Sequence, residues 1–245
     1  MWNTTKVATK QHRRALVLWD IDHTLIETRG VGAELYKAAF EEVTRVEMKH
    51  RADVTGATEP EIFAETMRLN GLDIGADDQV KYALALARRY DQSRQLLRRR
   101  GRVLPGAREA LSTLHRVPGV IQSVLTGNLT QVAIVKVEAF DLREFFDLDV
   151  AAYGENAEKR PQLVAVAQTS AAAKFGQPFD RTNTIIIGDS ESDVTTGRMG
   201  GAYVIGVASG KMTAEELRDV GANYSLDDLS DARGLRNAIL AHLVD

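Results

Sequence analysis

A short apolar run that ends on two carboxylates constrains the fold of this chain more than any other feature. Residues 16–19 are apolar throughout, and Asp20 and Asp22 follow them with Ile21 in between. Such a run is typical of a buried parallel strand, whose last side chains reach the crevice where α/β sheets bind ligands. Two acids held together there repel each other unless a cation lies nearby. The pattern therefore predicts a divalent metal, an anionic substrate, or both.

The composition is that of an ordinary globular protein. The chain has 245 residues, 44% of them hydrophobic and 27% charged, with a formal net charge of -3. That small charge gives no basic field to attract nucleic acid, and no stretch approaches the ~20 apolar residues of a membrane span. The absence of cysteine excludes disulfides, thiolate catalysis and cysteine-based zinc sites, and is compatible with a reducing cytosol. Because residues 1–14 lack the apolar core of a signal peptide, we expect a cytoplasmic protein with neither nucleic-acid nor membrane partners.

Strand and helix patterns alternate from residue 103 onward, after the first strand. This alternation implies right-handed crossovers and a parallel sheet covered by helices on both faces, which is a doubly wound α/β fold. The later strands are predicted at residues 120–125, 184–187 and 202–207, with a weak strand at 148–152. The helices are predicted at residues 105–115, 129–140, 161–175 and 193–199, and from Thr213 onward.

Residues 30–102 have a different character, because apolar residues recur there at helical spacing and no convincing strand interrupts them. Residues 77–100 are predicted to form one long helix that ends in three arginines before Gly101, as helix C-termini favour. We therefore expect residues 1–29 and 103–245 to form the α/β core, and residues 30–102 to form an inserted all-helical domain.

Three further polar motifs lie where predicted strands end or helices begin. They are Thr126-Gly127-Asn128, Lys159-Arg160 and Gly188-Asp189-x-x-x-Asp193. Each motif alone is typical of a helix cap or a turn. Together they bring a hydroxyl, a cation and carboxylates to the C-terminal edge of one sheet, which capping alone does not require.

With Asp20-x-Asp22-x-Thr24 in front, these motifs resemble the four motifs of the haloacid dehalogenase superfamily of phosphohydrolases, in the same order. The resemblance covers nearly the whole chain from Leu16, and the helical insert lies where that family carries its helical cap. It implies a haloacid dehalogenase-like core with an all-helical cap domain. Asp22 favours phosphate-ester chemistry, because the dehalogenase and phosphonatase relatives lack an acid two residues after the nucleophile.

The resemblance also implies roles for the acids. Asp20, Asp189 and the backbone carbonyl of Asp22 would bind Mg²⁺, which prefers oxygen ligands. Asp193 would hold a metal-bound water or orient the ligands. Asp20 would be the nucleophile that forms an aspartyl-phosphate. Asp22 would protonate the leaving alkoxide and then deprotonate the attacking water.

The other motif residues are implied to bind the phosphoryl group. Thr126 and the backbone amides of Ile21, Asp22 and Gly127 would hold its oxygens, with Asn128 in the same substrate-binding loop. Either Lys159 or Arg160 would neutralise the developing charge. Arg160 stands immediately before proline, as the family cation does, but that cation is usually lysine, so both residues remain candidates.

Two more positions leave alternatives open. His23 stands where the family usually has glycine, and we interpret it as a local variation in a turn, since histidine tolerates positive φ. Residues 55–61 resemble a Gly-x-Thr-Asp segment found in the caps of phosphoglycolate-phosphatase-like relatives. Thr58 is a candidate for substrate contact there, and equally for a helix N-cap with Glu61 three residues later.

The sequence thus predicts a Mg²⁺-dependent phosphatase of a small phosphorylated metabolite, with a phosphoglycolate-type substrate as the best single candidate. A phosphomutase of the β-phosphoglucomutase type is an alternative, because it shares the core residues but keeps the phosphoryl group from water. A non-catalytic binding or regulatory domain is the alternative from another class. The intact Asp20, Asp22 and Asp189 argue against it. The oligomeric state is left open.

Overall fold

The computed structural model describes residues 14–53, 56–75 and 77–244. Its strands are β1 (Ala15–Trp19), β2 (Ile26–Glu27), β3 (Arg102–Val103), β4 (Val120–Val124), β5 (Thr184–Gly188), β6 (Tyr203–Val207) and β7 (Tyr224–Leu226). Its α-helices are α1 (Val31–Thr44), α2 (Glu59–Leu69), α3 (Asp78–Gln92), α4 (Arg94–Arg100), α5 (Ala107–His115), α6 (Thr130–Ala139), α7 (Gln162–Phe175), α8 (Glu191–Gly200), α9 (Ala214–Asp219) and α10 (Ala232–His242). None of these helices is long and apolar enough to cross a membrane.

A five-stranded parallel sheet lies at the centre, in the spatial order β4-β1-β5-β6-β7. Alternate residues of β1 face opposite sides of it. Val17 and Trp19 pack in an apolar cluster with α5, α6 and α10, whereas Leu16 and Leu18 pack in a second cluster with α7. Helices therefore cover both faces, and the predicted doubly wound α/β class is confirmed.

Every regular element among the described residues between β2 and β3 is a helix. The two strands pair antiparallel, with Ile26 opposite Val103 and Glu27 opposite Arg102. Helices α1 to α4 lie between them along the chain. The join of core and insert is thus a two-stranded ribbon, which lies close to the predicted boundaries at residues 29–30 and 102–103.

Two sequence-based predictions about secondary structure are wrong. The single helix at 77–100 is two helices, since Ser93 leaves the helical conformation (φ -103°, ψ 13°) and lets α4 start at Arg94. The weak strand at 148–152 is a 3₁₀ turn over Leu148–Val150. Only its last residue, Ala152, forms a bridge to the sheet. Hydrophobic spacing does not register a one-residue break, and Asp147 accepts a backbone hydrogen bond that favours the turn.

The short strand β7 and the C-terminal helix α10 extend the core beyond what the sequence analysis predicted. The other predicted core elements are confirmed to within about two residues at each end, which is the usual uncertainty of helix and strand boundaries.

Candidate active site

Three strand ends meet at one edge of the sheet. Trp19, the last residue of β1, pairs with residues at the ends of both β4 and β5. Because the strands are parallel, the segments that leave them emerge side by side. Asp20, Thr126 and Asp189 accordingly line one cavity.

Asp20, Asp189 and Asp193 form a buried acidic cluster, in which one carboxylate oxygen of each residue lies within 4.8 Å of the others. Burial, reinforced by repulsion from Asp193, raises the pKa of Asp20 well above its usual range. The same two causes raise the pKa of Asp189 to about 7. Thr24 donates a hydrogen bond of 2.9 Å to Asp189 Oδ1 and so fixes that carboxylate. The cluster is therefore ordered but carries more negative charge than its surroundings balance.

Arg160 is the cation that enters this cluster. Its Nη2 donates to Asp20 Oδ1 at 3.0 Å and also to Asp193. Asp193 has a second role, because it accepts from the backbone and hydroxyl of Ser190 and caps α8. Lys159, the other candidate cation, is exposed on the surface. Of the two candidates, only Arg160 lies beside Asp20.

The carboxylate of Asp22 faces a different partner. Lys136 on α6 donates to its Oδ2 at 2.6 Å, and Asn128 Nδ2 donates to the same oxygen at 2.8 Å. Burial alone would raise the pKa of Asp22, but the charge and hydrogen bond of Lys136, with the Asn128 hydrogen bond, outweigh burial and lower it. Asp22 is thus held as a carboxylate, next to a cluster in which protonation is favoured.

The loop after β4 supplies further polar groups to this edge. Thr126 is buried, and its hydroxyl accepts from Asn128 Nδ2 at 2.7 Å. Gly127 contacts the cap closely, since a Cβ there would lie 2.3 Å from the carbonyl oxygen of Ala57. Ile21, on the loop after β1, is fully buried and does not line the cavity.

Thr58 lies outside the cavity lining, unlike the next residue, Glu59. Its hydroxyl donates to Glu61 Oε2 at 2.8 Å, and its backbone N–H donates to the same oxygen at 2.9 Å, which is a capping box at the start of α2. Of the two interpretations of Thr58, the geometry matches the helix cap. The carboxylate of Glu59, which lines the cavity, accepts from the Tyr82 hydroxyl at 2.7 Å.

His23 has φ 63°, the left-handed conformation predicted for a residue at a glycine position. Its backbone N–H donates to Ile26 at 2.8 Å, and its carbonyl accepts from the Ser209 hydroxyl at 2.7 Å. The backbone of His23 therefore shapes the turn that presents Asp22.

The cavity above these residues has a volume of about 730 Å³ and is walled by core and insert together. Tyr36, Glu59, Leu86 and Tyr90 contribute from the insert. The two parts touch at a backbone hydrogen bond of 2.8 Å from Glu59 to Gly127, and Ser192 of α8 donates to the Gly56 carbonyl at 2.7 Å. The insert therefore packs over the strand ends.

The donor set of the acidic cluster fits a divalent cation. Three carboxylates face one guanidinium, so negative charge remains when all three are ionised. Carboxylate oxygens are the ligands that Mg²⁺ prefers. The Asp22 side chain is outside this cluster.

Lys136 was missed by the sequence analysis. Only 4% exposed, it lies in a helix whose other residues are mostly buried and apolar. A single lysine between Val135 and Val137 in an otherwise apolar helix was the available signal, because such a charge is rarely buried without a partner.

Comparisons with known proteins identify the family and the fold of this chain. The family model for haloacid dehalogenase-like hydrolases matches residues 17–198. The chain is 24% identical over 230 residues to Probable phosphatase IndB of Dickeya dadantii, spanning 93% of this chain and 95% of that protein. It is 25% identical over 225 residues to Pyrophosphatase PpaX of Halalkalibacterium halodurans, spanning 90% and 97%. A solved structure described as a predicted phosphoglycolate phosphatase from Haemophilus somnus has the same fold, with a TM-score of 0.65 at 16% identity over 93% of this chain and 100% of that one.

Proposed function

Because this chain belongs to the haloacid dehalogenase-like hydrolases, we propose that it is a Mg²⁺-dependent phosphatase that hydrolyses a small phosphorylated metabolite. The names of two relatives that match over nearly their full length support phosphate release as the reaction class. The observation that carries the proposal is Asp20, which is hydrogen-bonded to Arg160, clustered with Asp189 and Asp193, and lines the cavity between core and insert.

Asp20, Asp189 and the backbone carbonyl of Asp22 are the proposed Mg²⁺ ligands, with Asp193 orienting them. Bound there, Mg²⁺ supplies the positive charge that lets a carboxylate approach a phosphate dianion. The raised pKa of Asp20 supports this assignment. A nucleophile must be ionised at neutral pH, and Arg160 alone leaves that carboxyl group easily protonated.

In the proposed reaction a carboxylate oxygen of Asp20 attacks phosphorus. The ester P–O bond breaks, and its electron pair goes to the leaving oxygen, which takes a proton from the Asp22 carboxyl. A water molecule then attacks the phosphorus of the aspartyl-phosphate and gives a proton back to Asp22. The bond between phosphorus and Asp20 breaks, which restores the Asp20 carboxylate and releases inorganic phosphate.

The loops around Asp20 are proposed to hold the phosphoryl oxygens. The Thr126 hydroxyl and the backbone amides of Ile21, Asp22 and Gly127 are the donors, with Asn128 beside them. Arg160 neutralises the charge that develops on the phosphoryl group and on Asp20. A fixed guanidinium is well suited to this task, because it costs no reorganisation during the reaction.

Asp22 changes role between the two steps. In the structure it is ion-paired with Lys136, which favours its carboxylate form and hence the base that activates water. A bound phosphate dianion places like charge beside Asp22 and favours protonation, so substrate binding itself prepares the acid.

A phosphoglycolate-type ester is the proposed substrate. The name of the Haemophilus somnus structure, which shares this fold, supports it. The Arg51 side chain also supports it, because it lines the cavity over the Tyr36 ring at 4.3 Å and its positive charge is suited to a substrate carboxylate.

Replacement of the nucleophile tests this function. Asp20→Asn should lower hydrolysis of p-nitrophenyl phosphate at least about 10³-fold while the circular dichroism spectrum stays unchanged, since an amide cannot form the acyl phosphate. Asp149→Asn is the matched control, because Asp149 is an exposed acid that pairs with Lys174. Crystals soaked with beryllofluoride should show an adduct on Asp20. Undiminished turnover by Asp20→Asn, or an empty Asp20 in soaked crystals, contradicts the proposal.

A phosphomutase remains the second candidate, since it uses the same core residues. Incubation with sugar phosphates separates the two reactions. Release of inorganic phosphate supports hydrolysis, whereas an isomerised sugar phosphate without phosphate release supports the mutase.

A further inference from the structure

Lys136 belongs to the reaction machinery, although it lies outside the strand-end motifs. Its ammonium is buried yet borders the cavity. Nζ donates to Asp22 Oδ2 and to Asn128 Oδ1, both at 2.6 Å. Burying a lysine is costly unless its donors find partners, so this ion pair is a built feature of the site.

The three side chains form a closed ring of hydrogen bonds. Lys136 donates to both Asp22 and Asn128, and Asn128 donates from Nδ2 to Asp22. Asn128 is anchored in turn by Thr126 Oγ1, which accepts from Nδ2 at 2.7 Å. Each member is thus held by two others, which restricts rotation of the Asp22 carboxylate.

Both hydrogen bonds to Asp22 end on the same oxygen. Lys136 Nζ and Asn128 Nδ2 both donate to Oδ2. Oδ1 is therefore the oxygen left to exchange a proton with the ester and with water.

The cap covers this arrangement from above. The Tyr90 ring of α3 lies over Lys136, with its centroid 5.3 Å from Nζ. An aromatic face attracts a cation and also excludes water from it. Tyr90 therefore shields the Lys136 end of the ring from water, whereas the Asp22 side chain stays 32% exposed.

We propose that Lys136 is a positioning residue that, together with Asn128, pins Asp22 by Oδ2 and so aims Oδ1 at the leaving-group oxygen. This role rests on the proposed phosphatase function. It differs from that of Arg160, which contacts Asp20 and Asp193 instead. Lys136 acts through Asp22.

Esters that need a general acid to different degrees test this role. p-Nitrophenolate leaves without a proton, whereas an alkoxide needs one. The alkyl probe is whichever of phosphoglycolate, glycerol phosphate and glucose 6-phosphate the wild type turns over fastest. For Lys136→Met we expect kcat/KM to fall about 100-fold or more with the alkyl ester and less than about 10-fold with p-nitrophenyl phosphate.

A double variant shows whether Lys136 acts through Asp22. Asp22→Asn alone should show the same preference for the aryl ester. Adding Lys136→Met to it should cause less than about a threefold further loss, because residues that act as a unit are not additive. Lys174→Met is the control, since Lys174 pairs with Asp147 and Asp149 on the surface. If Lys136→Met does not fold, Lys136→Gln, which keeps an NH₂ donor group but loses the charge, is measured in its place.

Several results overturn the role. Equal losses with both esters indicate a merely structural lysine, and multiplicative losses in the double variant indicate direct contact with substrate. If the wild type turns over p-nitrophenyl phosphate but none of the alkyl esters, the reaction has no proton transfer to the leaving group that Lys136 could support, and the role is refuted. Turnover that survives Asp20→Asn counts against the phosphatase mechanism itself, so the two failures are distinguishable.

Discussion

Two groups of acids lie side by side in this site but balance their charge in opposite ways. Asp20, Asp189 and Asp193 share one guanidinium, and the pKa values of Asp20 and Asp189 are raised. Asp22 has a lysine of its own, and its pKa is lowered. The under-compensated group is suited to binding a cation, and the balanced pair is suited to handling a proton. Identical side chains thus acquire different chemistry from their neighbours.

Metal removal should have the largest effect on activity. It takes the proposed counter-charge away from the acidic cluster but leaves the pair of Asp22 and Lys136 intact. Dialysis against EDTA should lower kcat/KM for p-nitrophenyl phosphate at least ~10³-fold, since several stabilising contacts to the phosphoryl group are lost together. Addition of Mg²⁺ should restore the rate. Hydrolysis that is insensitive to chelation contradicts the metal role of the cluster.

Removal of the Arg160 guanidinium should have the next largest effect on activity. Arg160→Met should lower kcat/KM about 10²–10³-fold, the usual loss when one fixed donor to a transition state is deleted. Lys159→Met is its neighbour in sequence but carries an exposed side chain, so it should stay within about twofold of wild type. Parallel kinetics of the two variants check this. Equal losses of kcat/KM in the two variants would show that activity does not depend on a cation placed beside Asp20.

The smallest expected effect is on the stability of the folded protein. It follows from the raised pKa of Asp189 in the acidic cluster. Asp189 has a folded pKa of about 7 against an ordinary value of 3.8. The folded protein therefore binds more protons than the unfolded protein between these values. The stabilisation contributed by Asp189 is complete below about pH 3.8 and is lost as the pH rises through about 7, by roughly 1–3 kcal/mol between pH 5 and pH 7.5.

Urea unfolding in EDTA at pH 5 and pH 7.5 measures this loss. The free energy of unfolding should fall more over that range in wild type than in Asp189→Asn, which cannot titrate. Mg²⁺ should stabilise the wild type more at pH 7.5 than at pH 5. An identical pH dependence in both proteins contradicts the assignment to Asp189.

Local sequence patterns were sufficient to predict the acidic residues at the centre of the site. The apolar strand before Asp20 and Asp22, and the turn and helix signals around Asp189 and Asp193, are contiguous in sequence and require no knowledge of distant contacts. Parallel strands then bring their C-terminal ends together, which follows from topology alone. This is why the fold class and the clustering of Asp20, Asp189 and Asp193 could be predicted.

The cap was harder to predict from the sequence, because its function depends on which side chains turn inward. The capping box was readable at Thr58, yet the residue that reaches the cavity is Glu59. The break at Ser93 likewise leaves no trace in hydrophobic spacing. Packing against the core, rather than local preference, decides both features.

Short contiguous motifs carry the identity and the order of the acids at the sheet edge, so the amino-acid sequence alone was enough to predict them. The choice of Arg160 over Lys159, and the pairing of Lys136 with Asp22, became clear only from the folded arrangement of the side chains. The two partners of Asp22 and Asp20 lie 114 and 140 residues away along the chain. Charge compensation at short range is a property of folded distances, which no local pattern encodes.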